Sequence, residues 1–275
     1  MNNGATSNAV HHTVTPVQIK VAGMAGDLYG SPDGRPPLVL LNGLTYARGI
    51  WQPVLSHLGR IDPGRQVLNL DLPGHGDSPD QFPHTLERVV PLVRDAIGEA
   101  GLGTPVLVGH SMSGGIASLY AAQYAASGVV NVDAPPDLGT FIQLLRAVAD
   151  QNHGDMLGTW ATLEQGFRID LLPPETGELV ARSSRPRTEL LASYWEELFA
   201  MAPDQAAAMV GGALAAVSAA QVPYLLILGT EMSPGTAAWF RNAAPQAVAE
   251  VWAGSGHFPH LAHPARFAER LAATA

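Results

Sequence analysis

The segment VLVGHSMSGG at 106–115 places one serine between small residues, directly after an apolar run. An apolar strand that turns sharply into a helix would hold the Ser111 hydroxyl above the edge of a sheet. Such a turn needs small neighbours, here Gly109 and Ser113, because a larger side chain would collide with the backbone. The amide groups at the helix start would also face negative charge that develops beside Ser111. The segment predicts a nucleophile, and an ordinary serine at a helix start is the alternative.

A serine hydroxyl needs a base to take its proton, and histidine suits that task near neutral pH. His257 stands in the Gly-rich segment AGSGHFPHLAHP, between a predicted strand and the last predicted helix. His75, His110 and His260 compete for the same role. His110 is adjacent to Ser111 and would point away from it, and His75 precedes the serine, outside the chain order serine, acid, histidine. We expect His257 to be the general base.

The same segment has an alternative interpretation as a metal site. His257, His260 and His263 could be three ligands, but Pro259 and Pro264 interrupt any helical face and no carboxylate is present. The chain contains no cysteine, which excludes disulfides, thiolate metal sites and a cysteine nucleophile. We therefore expect neither a metal nor a cofactor.

Composition limits the class of partner. The 275 residues include 47% hydrophobic and 14% charged residues, which indicates a globular protein near the upper size for one core. The 15 Lys and Arg against 24 Asp and Glu give a net charge of −9. That sign opposes binding to phosphate backbones, so we expect no nucleic-acid partner.

Two segments bear on the location of the protein. Residues 1–15 are polar and have neither a basic start nor a long apolar run, so we expect no secretory signal and a cytoplasmic protein. The uncharged window 209–229 resembles a membrane span in length, but it is mostly Ala and Gly, and Gln221 and Pro223 interrupt it. We expect a buried helix that runs into a buried strand, and no membrane span.

The elements that must position these residues follow from periodicity. Continuous apolar runs before Gly, Asp or Pro predict buried parallel strands, and segments with a 3.6-residue period predict helices between them. We expect 17–22 and 27–29 to form an opening antiparallel pair. The other predicted strands lie at 36–43, 65–74, 104–110, 129–136, 222–229 and 247–252, and the predicted helices at 51–59, 85–100, 112–126, 234–243 and from 264. The pattern is typical of an α/β fold with helices on both faces of a mostly parallel sheet.

The region from 137 to 220 lacks strand patterns and is helical, with several aromatic residues. We expect it to be a helical cap inserted into a core made of 16–136 and 221–275, preceded by a flexible N-terminus over 1–15. Cap aromatics at helical spacing are candidates for a substrate pocket as well as for the cap's own core. The pocket candidates are Trp160, Tyr194, Trp195 and Phe199.

Four motifs together resemble the α/β-hydrolase superfamily, in its cap-bearing branch: LLNGL, DLPGHGDS, GHSMSGG and GSGHFPHLAHPARFAERL. The resemblance covers nearly the whole chain from about Val17. It implies an eight-stranded sheet, Ser111 as nucleophile, His257 as base, and an oxyanion hole made by the backbone amides of Met112 and Leu44.

The acid of the expected triad departs from the family pattern. Family members usually carry it a few residues beyond the strand that ends here at Gly229, where this chain reads GTEMSPG. We prefer Asp133, at the end of the strand VVNVD, because some superfamily members place the acid there and both strand ends face one crevice. Glu231 is the rival, and Asp137 is a weaker alternative.

These residues predict a serine hydrolase of the carboxylesterase or lactonase type, which cleaves a small apolar ester or lactone through an acyl-enzyme. The same three residues also serve carbon–carbon bond hydrolysis, perhydrolysis and lyase reactions on this fold, so those stay open. A non-catalytic member of the fold that binds a small ligand is the alternative from a different class.

Overall fold

The computed structural model describes residues 15–274. The flexible terminus expected over residues 1–15 therefore lies outside the described residues, apart from Thr15. The described chain forms one eight-stranded sheet with helices packed on it.

The strands follow the order β1-β2-β4-β3-β5-β6-β7-β8 across the sheet. The antiparallel pairs are β1 with β2 and β2 with β4, and every other neighbouring pair is parallel. Parallel neighbours cannot be joined by a tight turn, so longer, mostly helical crossovers connect them. The sheet order also departs from the chain order, since β4 lies between β2 and β3. Their bounds are β1 Val17–Val21, β2 Met24–Tyr29, β3 Leu38–Leu41, β4 Val67–Leu70, β5 Val106–His110, β6 Gly128–Val132, β7 Tyr224–Leu228 and β8 Val248–Val251.

Eleven α-helices and two short 3-10 turns occupy the connections within residues 15–274. The helices are α1 Gln52–Ile61, α2 Leu86–Glu99, α3 Met112–Gln123, α4 Leu138–Gln151, α5 Met156–Gln165, α6 Pro174–Ser183, α7 Thr188–Ala200, α8 Pro203–Ala219, α9 Pro234–Ala243, α10 Pro259–Ala262 and α11 Pro264–Ala272. The 3-10 turns are Arg48–Trp51 and Ile169–Leu171.

The four strands β3 to β6 are buried at every position. Helices cover both faces of a parallel sheet, so such strands have no solvent side and consist of continuous apolar runs. This is the pattern that the sequence shows, and the expected fold class, a mostly parallel eight-stranded α/β sheet, is confirmed.

Helices α4 to α8 stand between β6 and β7, where the sequence predicts a helical insertion. α4 packs on α5, α7 and α8, and α8 also packs on α3 and α9. The insertion is therefore tied to the core mainly through α8, which leads directly into β7.

No single helix within residues 15–274 is long and apolar enough to cross a membrane. Helices α7 and α8 reach that length and hydropathy only as a pair, and the pair is bent by 97°. The window at 209–229 divides between α8 and β7, as its composition predicts.

A buried ion network fixes the loop that follows β4. Arg48 Nε donates to Asp27 Oδ2 at 3.0 Å, and Arg48 Nη1 donates to Asp71 and, at 2.8 Å, to Asp77 Oδ2. Asp71 is fully buried and also accepts the backbone N–H of Asp77 at 2.9 Å. A buried carboxylate is tolerated only when it is paired in this way. The network thus holds residues 71–77 against the 3-10 turn that begins at Arg48 and, through Arg48, against β2.

We expect Arg48→Met to lower the free energy of unfolding by about 3 kcal/mol, because the change leaves the buried carboxylate of Asp71 without a cationic partner. Urea denaturation at pH 7 measures the loss. Arg94→Met is the matched control, since Arg94 pairs with Asp95 on the surface, and its loss should stay under about 1 kcal/mol. Equal losses in the two variants would contradict a structural role for the network.

Candidate active site

Ser111 occupies the turn between β5 and α3 with φ 55° and ψ −127°, a backbone conformation that side chains rarely adopt. The surrounding small residues make the turn possible. A Cβ at Gly109 would overlap the carbonyl of Ser113 and lie 2.6 Å from the nitrogen of Gly114. The strand-turn-helix context expected for a nucleophile is therefore present at Ser111.

The loop after β3 lies directly against this turn. A Cβ at Gly43 would lie 2.8 Å from His110 Nδ1 and 3.4 Å from Ser111 Cβ, so only glycine allows the approach without displacing a neighbour. Leu44, whose amide is expected to serve the oxyanion, follows at once and is buried. The other expected amide belongs to Met112, the first residue of α3. The N–H groups in the first turn of a helix have no partner within the helix, so this amide is available to a ligand.

Asn42 holds the shape of the loop after β3. Its Nδ2 donates to the carbonyls of Gly43 at 3.0 Å and Tyr46 at 2.6 Å, and its Oδ1 accepts the N–H of Leu72 at 2.9 Å. The side chain is fully buried. Asn42 thus satisfies three backbone groups of the two loops at once.

Asp133 and His257 form a hydrogen-bonded pair. Asp133 directly follows β6, and its Oδ2 lies 2.6 Å from His257 Nδ1. Its other oxygen, Oδ1, accepts the N–H of Gly229 at 2.8 Å, at the end of β7. Ser111 follows the neighbouring strand β5, and its N–H donates to Val132 O at 2.8 Å. Ends of adjacent parallel strands therefore bring residues 111, 133 and 257 to one edge of the sheet.

The environment of Asp133 favours its ionised form. Burial alone would raise the pKa of the carboxyl, but the hydrogen bond and charge of His257, together with the N–H of Gly229, lower it below its ordinary value. An ionised Asp133 beside Nδ1 fixes the imidazole with its proton on Nδ1. His257 Nε2 is then the nitrogen that can accept a proton.

Glu231, the rival carboxylate, is exposed two residues beyond Gly229. Of the two candidate carboxylates, the structure brings Asp133 into contact with the imidazole of His257. Asp137 accepts the N–H of Thr140 at 3.0 Å and caps α4.

His257 is enclosed on one side by the helical insertion. Phe167, on the turn after α5, stacks on the imidazole with ring centroids 4.3 Å apart and an interplanar angle of 26°. The carbonyl of Phe167 also accepts the N–H of His257 at 2.9 Å. Within residues 15–274, His257 Nε2 is buried and has no hydrogen-bond partner. The one free nitrogen of the imidazole is thus left available for a proton or a ligand.

Three of the four expected pocket aromatics continue from Phe167 as a connected row. Trp160 packs edge-on against Phe167 at 5.6 Å between centroids. Trp195 follows at 6.3 Å from Trp160, and Phe199 at 6.3 Å from Trp195. Tyr194 lies elsewhere: its hydroxyl donates to the carbonyl of Pro73 at 3.0 Å, below the loop after β4.

His110 is a second neighbour of His257. Its Nε2 donates to the carbonyl of His257 at 2.9 Å, and the two rings lie 4.9 Å apart. The ring of His260 lies 4.6 Å from His110 and 4.6 Å from Trp51, and neither of its nitrogens has a hydrogen-bond partner within residues 15–274. Both histidines are fully buried. Burial and neighbouring histidines lower the pKa of His110 to about 3 and that of His260 well below its ordinary value.

Two residues with structural roles near the site, Phe167 and His75, are not identified by the sequence. Phe167 is one of several aromatic residues in the cap, and it differs from the others in its contact with His257, 90 positions away. His75 attracts attention as a competing base, but in the structure it binds the backbone of Thr45. Both contacts join segments far apart in the chain, so no local pattern signals them.

In the part of the chain that the structure describes, no group of three histidine, aspartate or glutamate side chains is arranged to hold a metal ion. His260 faces aromatic rings, and His263 stands at the start of α11 with Trp252 5.9 Å from its ring.

The chain belongs to the alpha/beta hydrolase family, whose model matches residues 38–270. The match includes the turn at Ser111 and the loop at His257. It also spans the six strands β3 to β8.

Curated relatives include hydrolases and a synthase. The mouse sn-1-specific diacylglycerol lipase ABHD11 is 27% identical over 258 residues, which cover 86% of this chain and 80% of that protein. The Xenopus tropicalis protein of the same name is 34% identical over 120 residues, which cover 44% of this chain and only 35% of the relative. The chain thus matches little more than a third of that relative. A 2-succinyl-6-hydroxy-2,4-cyclohexadiene-1-carboxylate synthase from Salmonella typhimurium is 29% identical over 254 residues, 88% of this chain and 94% of the synthase.

Solved structures share the fold. The enol-lactonase from Burkholderia xenovorans LB400 superposes with a TM-score of 0.67 at 20% identity, over 94% of this chain and 99% of the lactonase. The family and the diacylglycerol lipase relatives support hydrolase chemistry for this chain.

We expect acid to destabilise the fold through the buried histidines. Their folded-state pKa lies below 6.5, the ordinary value, so the unfolded chain binds more protons as the pH falls below 6.5. The free energy of unfolding then drops by up to about 1.4 kcal/mol per pH unit for each such histidine. Urea denaturation between pH 7 and pH 5 measures this slope. His260→Phe keeps a ring beside Trp51 and should make the slope shallower by about one histidine's share; parallel slopes would contradict the assignment.

Proposed function

We propose that this chain is a serine hydrolase that cleaves a carboxylic ester or lactone through an acyl-enzyme. The observation that carries the proposal is the Asp133–His257 hydrogen bond at 2.6 Å, together with a buried Nε2, on the side of the imidazole away from Asp133, that has no hydrogen-bond partner among residues 15–274. Ser111 stands at the end of the strand next to the one that Asp133 follows, on a strained turn at the same edge of the sheet.

The proposed reaction divides the work among these groups. The hydroxyl of Ser111 attacks the carbonyl carbon while His257 Nε2 takes its proton, and the carbonyl oxygen becomes an oxyanion. The amides of Met112 and Leu44 stabilise that oxyanion. His257 then gives the proton to the leaving oxygen as the carbonyl re-forms and the bond to that oxygen breaks, which leaves the acyl group on Ser111. Water attacks this acyl carbon while His257 takes its proton, and the serine oxygen leaves with that proton to release the acid. Asp133 holds the imidazole in the required tautomer throughout.

We propose that helices α4 to α8, within residues 137–220, act as the cap of a core formed by 16–136 and 221–275. Its contact with the site through Phe167 and the aromatic row from Trp160 to Phe199 supports this role. Apolar rings beside a catalytic base exclude water and favour an apolar acyl or alcohol group. A small apolar ester or lactone therefore fits the site.

A second candidate function has a specific relative behind it. The Salmonella typhimurium protein that matches 88% of this chain is a synthase by name, and this fold supports other chemistry with the same three residues. Lyase or carbon–carbon bond chemistry at Ser111 is thus the alternative, and a panel of p-nitrophenyl esters and lactones separates it from ester cleavage. The diacylglycerol lipase and enol-lactonase relatives favour the ester and lactone arms of that panel.

We expect a fluorophosphonate probe to label Ser111, because only an activated serine displaces fluoride at neutral pH. Ser111→Ala should abolish labelling and lower turnover by about 10^6-fold if the three residues act as a unit. Peptide mapping by mass spectrometry locates the label. Ser31→Ala changes an exposed serine and should leave both readouts unchanged. A folded protein that takes no label would favour a ligand-binding member of the fold.

We expect Asp133→Asn to lower kcat by about 10^4-fold, because an amide beside Nδ1 favours the wrong tautomer of His257. Asparagine tolerates the φ of 56° at this position and keeps an acceptor for the N–H of Gly229. Glu231→Gln should leave kcat near the parent value. Steady-state kinetics on one ester compares the two variants, and the reverse ranking would transfer the acid role to Glu231.

A further inference from the structure

His75 is held in one tautomer by two backbone groups. Its Nε2 lies 3.0 Å from the N–H of Thr45, and its Nδ1 lies 3.0 Å from the carbonyl of Pro73. An N–H can only donate and a carbonyl can only accept. The imidazole therefore carries its proton on Nδ1, donates it to Pro73, and accepts from Thr45 through Nε2. The side chain is 2% exposed, so water does not compete for either contact.

Thr45 needs such a partner because its backbone is strained. It has φ 72°, in the left-handed region that a β-branched residue rarely enters. It is buried and directly follows Leu44. Strained residues persist only where neighbouring contacts over-determine them. The bond from Thr45 to His75 is one such contact, and it fixes the orientation of the peptide that joins residues 44 and 45.

We propose that His75 is a positioning residue that fixes the backbone at Leu44, so that the Leu44 amide faces the oxyanion formed at Ser111. The inference rests on the proposed function, since it assigns the amide of Leu44 to the oxyanion. It gives His75 no contact with substrate and no share in proton transfer. Its action runs entirely through Thr45.

The charge state of His75 agrees with this role. Burial lowers its pKa to about 4, and the charges of His84 and Arg187 act in the same direction against the hydrogen bonds with Pro73 and Leu72. The imidazole is therefore neutral at neutral pH, and Nε2 keeps the lone pair that accepts from Thr45.

Helix α7 of the insertion holds the loop that carries His75. The Tyr194 hydroxyl donates to the carbonyl of Pro73 at 3.0 Å, the same carbonyl that accepts from His75, and the two rings pack edge to face at 5.3 Å. Arg187, which precedes α7, donates to the carbonyl of Gly74 at 3.0 Å and pairs with Asp80 at 2.7 Å. The insertion therefore supports the loop after β3 through His75, as well as the proposed base through Phe167.

Two amide replacements separate the nitrogens of His75. Gln places its terminal group at the depth of Nε2, so His75→Gln keeps an acceptor for Thr45. Asn reaches only the depth of Nδ1, so His75→Asn keeps the donor to Pro73 and loses that acceptor. We expect His75→Asn to lower kcat on an ester by about 10-fold to 100-fold with little change in KM, because a displaced oxyanion donor weakens transition-state binding. His75→Gln should recover most of the loss.

The controls are His153→Asn and His153→Gln, which make the same changes at an exposed histidine and should leave kcat unchanged. Equal kcat for the two His75 variants would overturn the proposal. So would a loss confined to KM, because it would place His75 in ground-state binding.

Two measurements do not depend on esterase activity, so they test His75 even if the proposed function fails. In the parent protein, 15N NMR should show Nδ1 protonated and Nε2 unprotonated at pH 7, and the opposite tautomer or an imidazolium would overturn the proposal. Hydrogen exchange followed by mass spectrometry should be faster around residues 44–46 in His75→Asn than in His75→Gln. Equal exchange would overturn it as well. A parent protein that takes no fluorophosphonate label but meets these two expectations would refute the proposed hydrolase function. It would leave standing the inference that His75 fixes the backbone at residues 44–45.

Discussion

The hydrogen bond between Asp133 and His257 is the contact on which the site depends. It joins residues 124 positions apart, and it requires β6, β7 and β8 to lie side by side. Asp133 is bound on its other oxygen by Gly229 at the end of β7, so the carboxylate ties together the ends of two strands and the loop after a third. A shift of any of these strands by one residue would turn the side chains to the other face and break the pair.

The helical insertion contributes to the geometry on two sides. The ring of Phe167 stacks on the imidazole of His257, and its carbonyl accepts the backbone N–H of His257. Tyr194 supports the loop that carries His75. Asn42 and Gly43 bring the loop after β3 into contact with the turn at Ser111. The core supplies the reactive groups in our proposal, and the insertion restrains the segments that hold them. Changes within 137–220 are therefore expected to affect turnover as well as substrate preference.

The sequence predicts the sheet well because β3 to β6 are continuous apolar runs bounded by Gly, Asp or Pro, and such runs fit only strands covered on both faces. It also separates Ser111 from other serines through its small neighbours. It favours Asp133 as the acid but leaves Glu231 open. The choice depends on which carboxylate reaches the imidazole of His257, and that imidazole is more than a hundred positions from Asp133 in the chain. The contacts of Phe167 and His75 escape prediction for the same reason, since tertiary packing alone selects them.

β8 is an edge strand that comes late in the chain, and this position bears on the order in which the candidate active site is assembled. β8 pairs only with β7 among residues 15–274, and residue 257 emerges from the ribosome long after residues 111 and 133. The serine turn and its neighbouring carboxylate can therefore fold on the nascent chain before the imidazole of His257 reaches them. A translation product that stops inside the helical insertion would carry the proposed nucleophile without the proposed base, so the proposed site stays incomplete until residue 257 has been added.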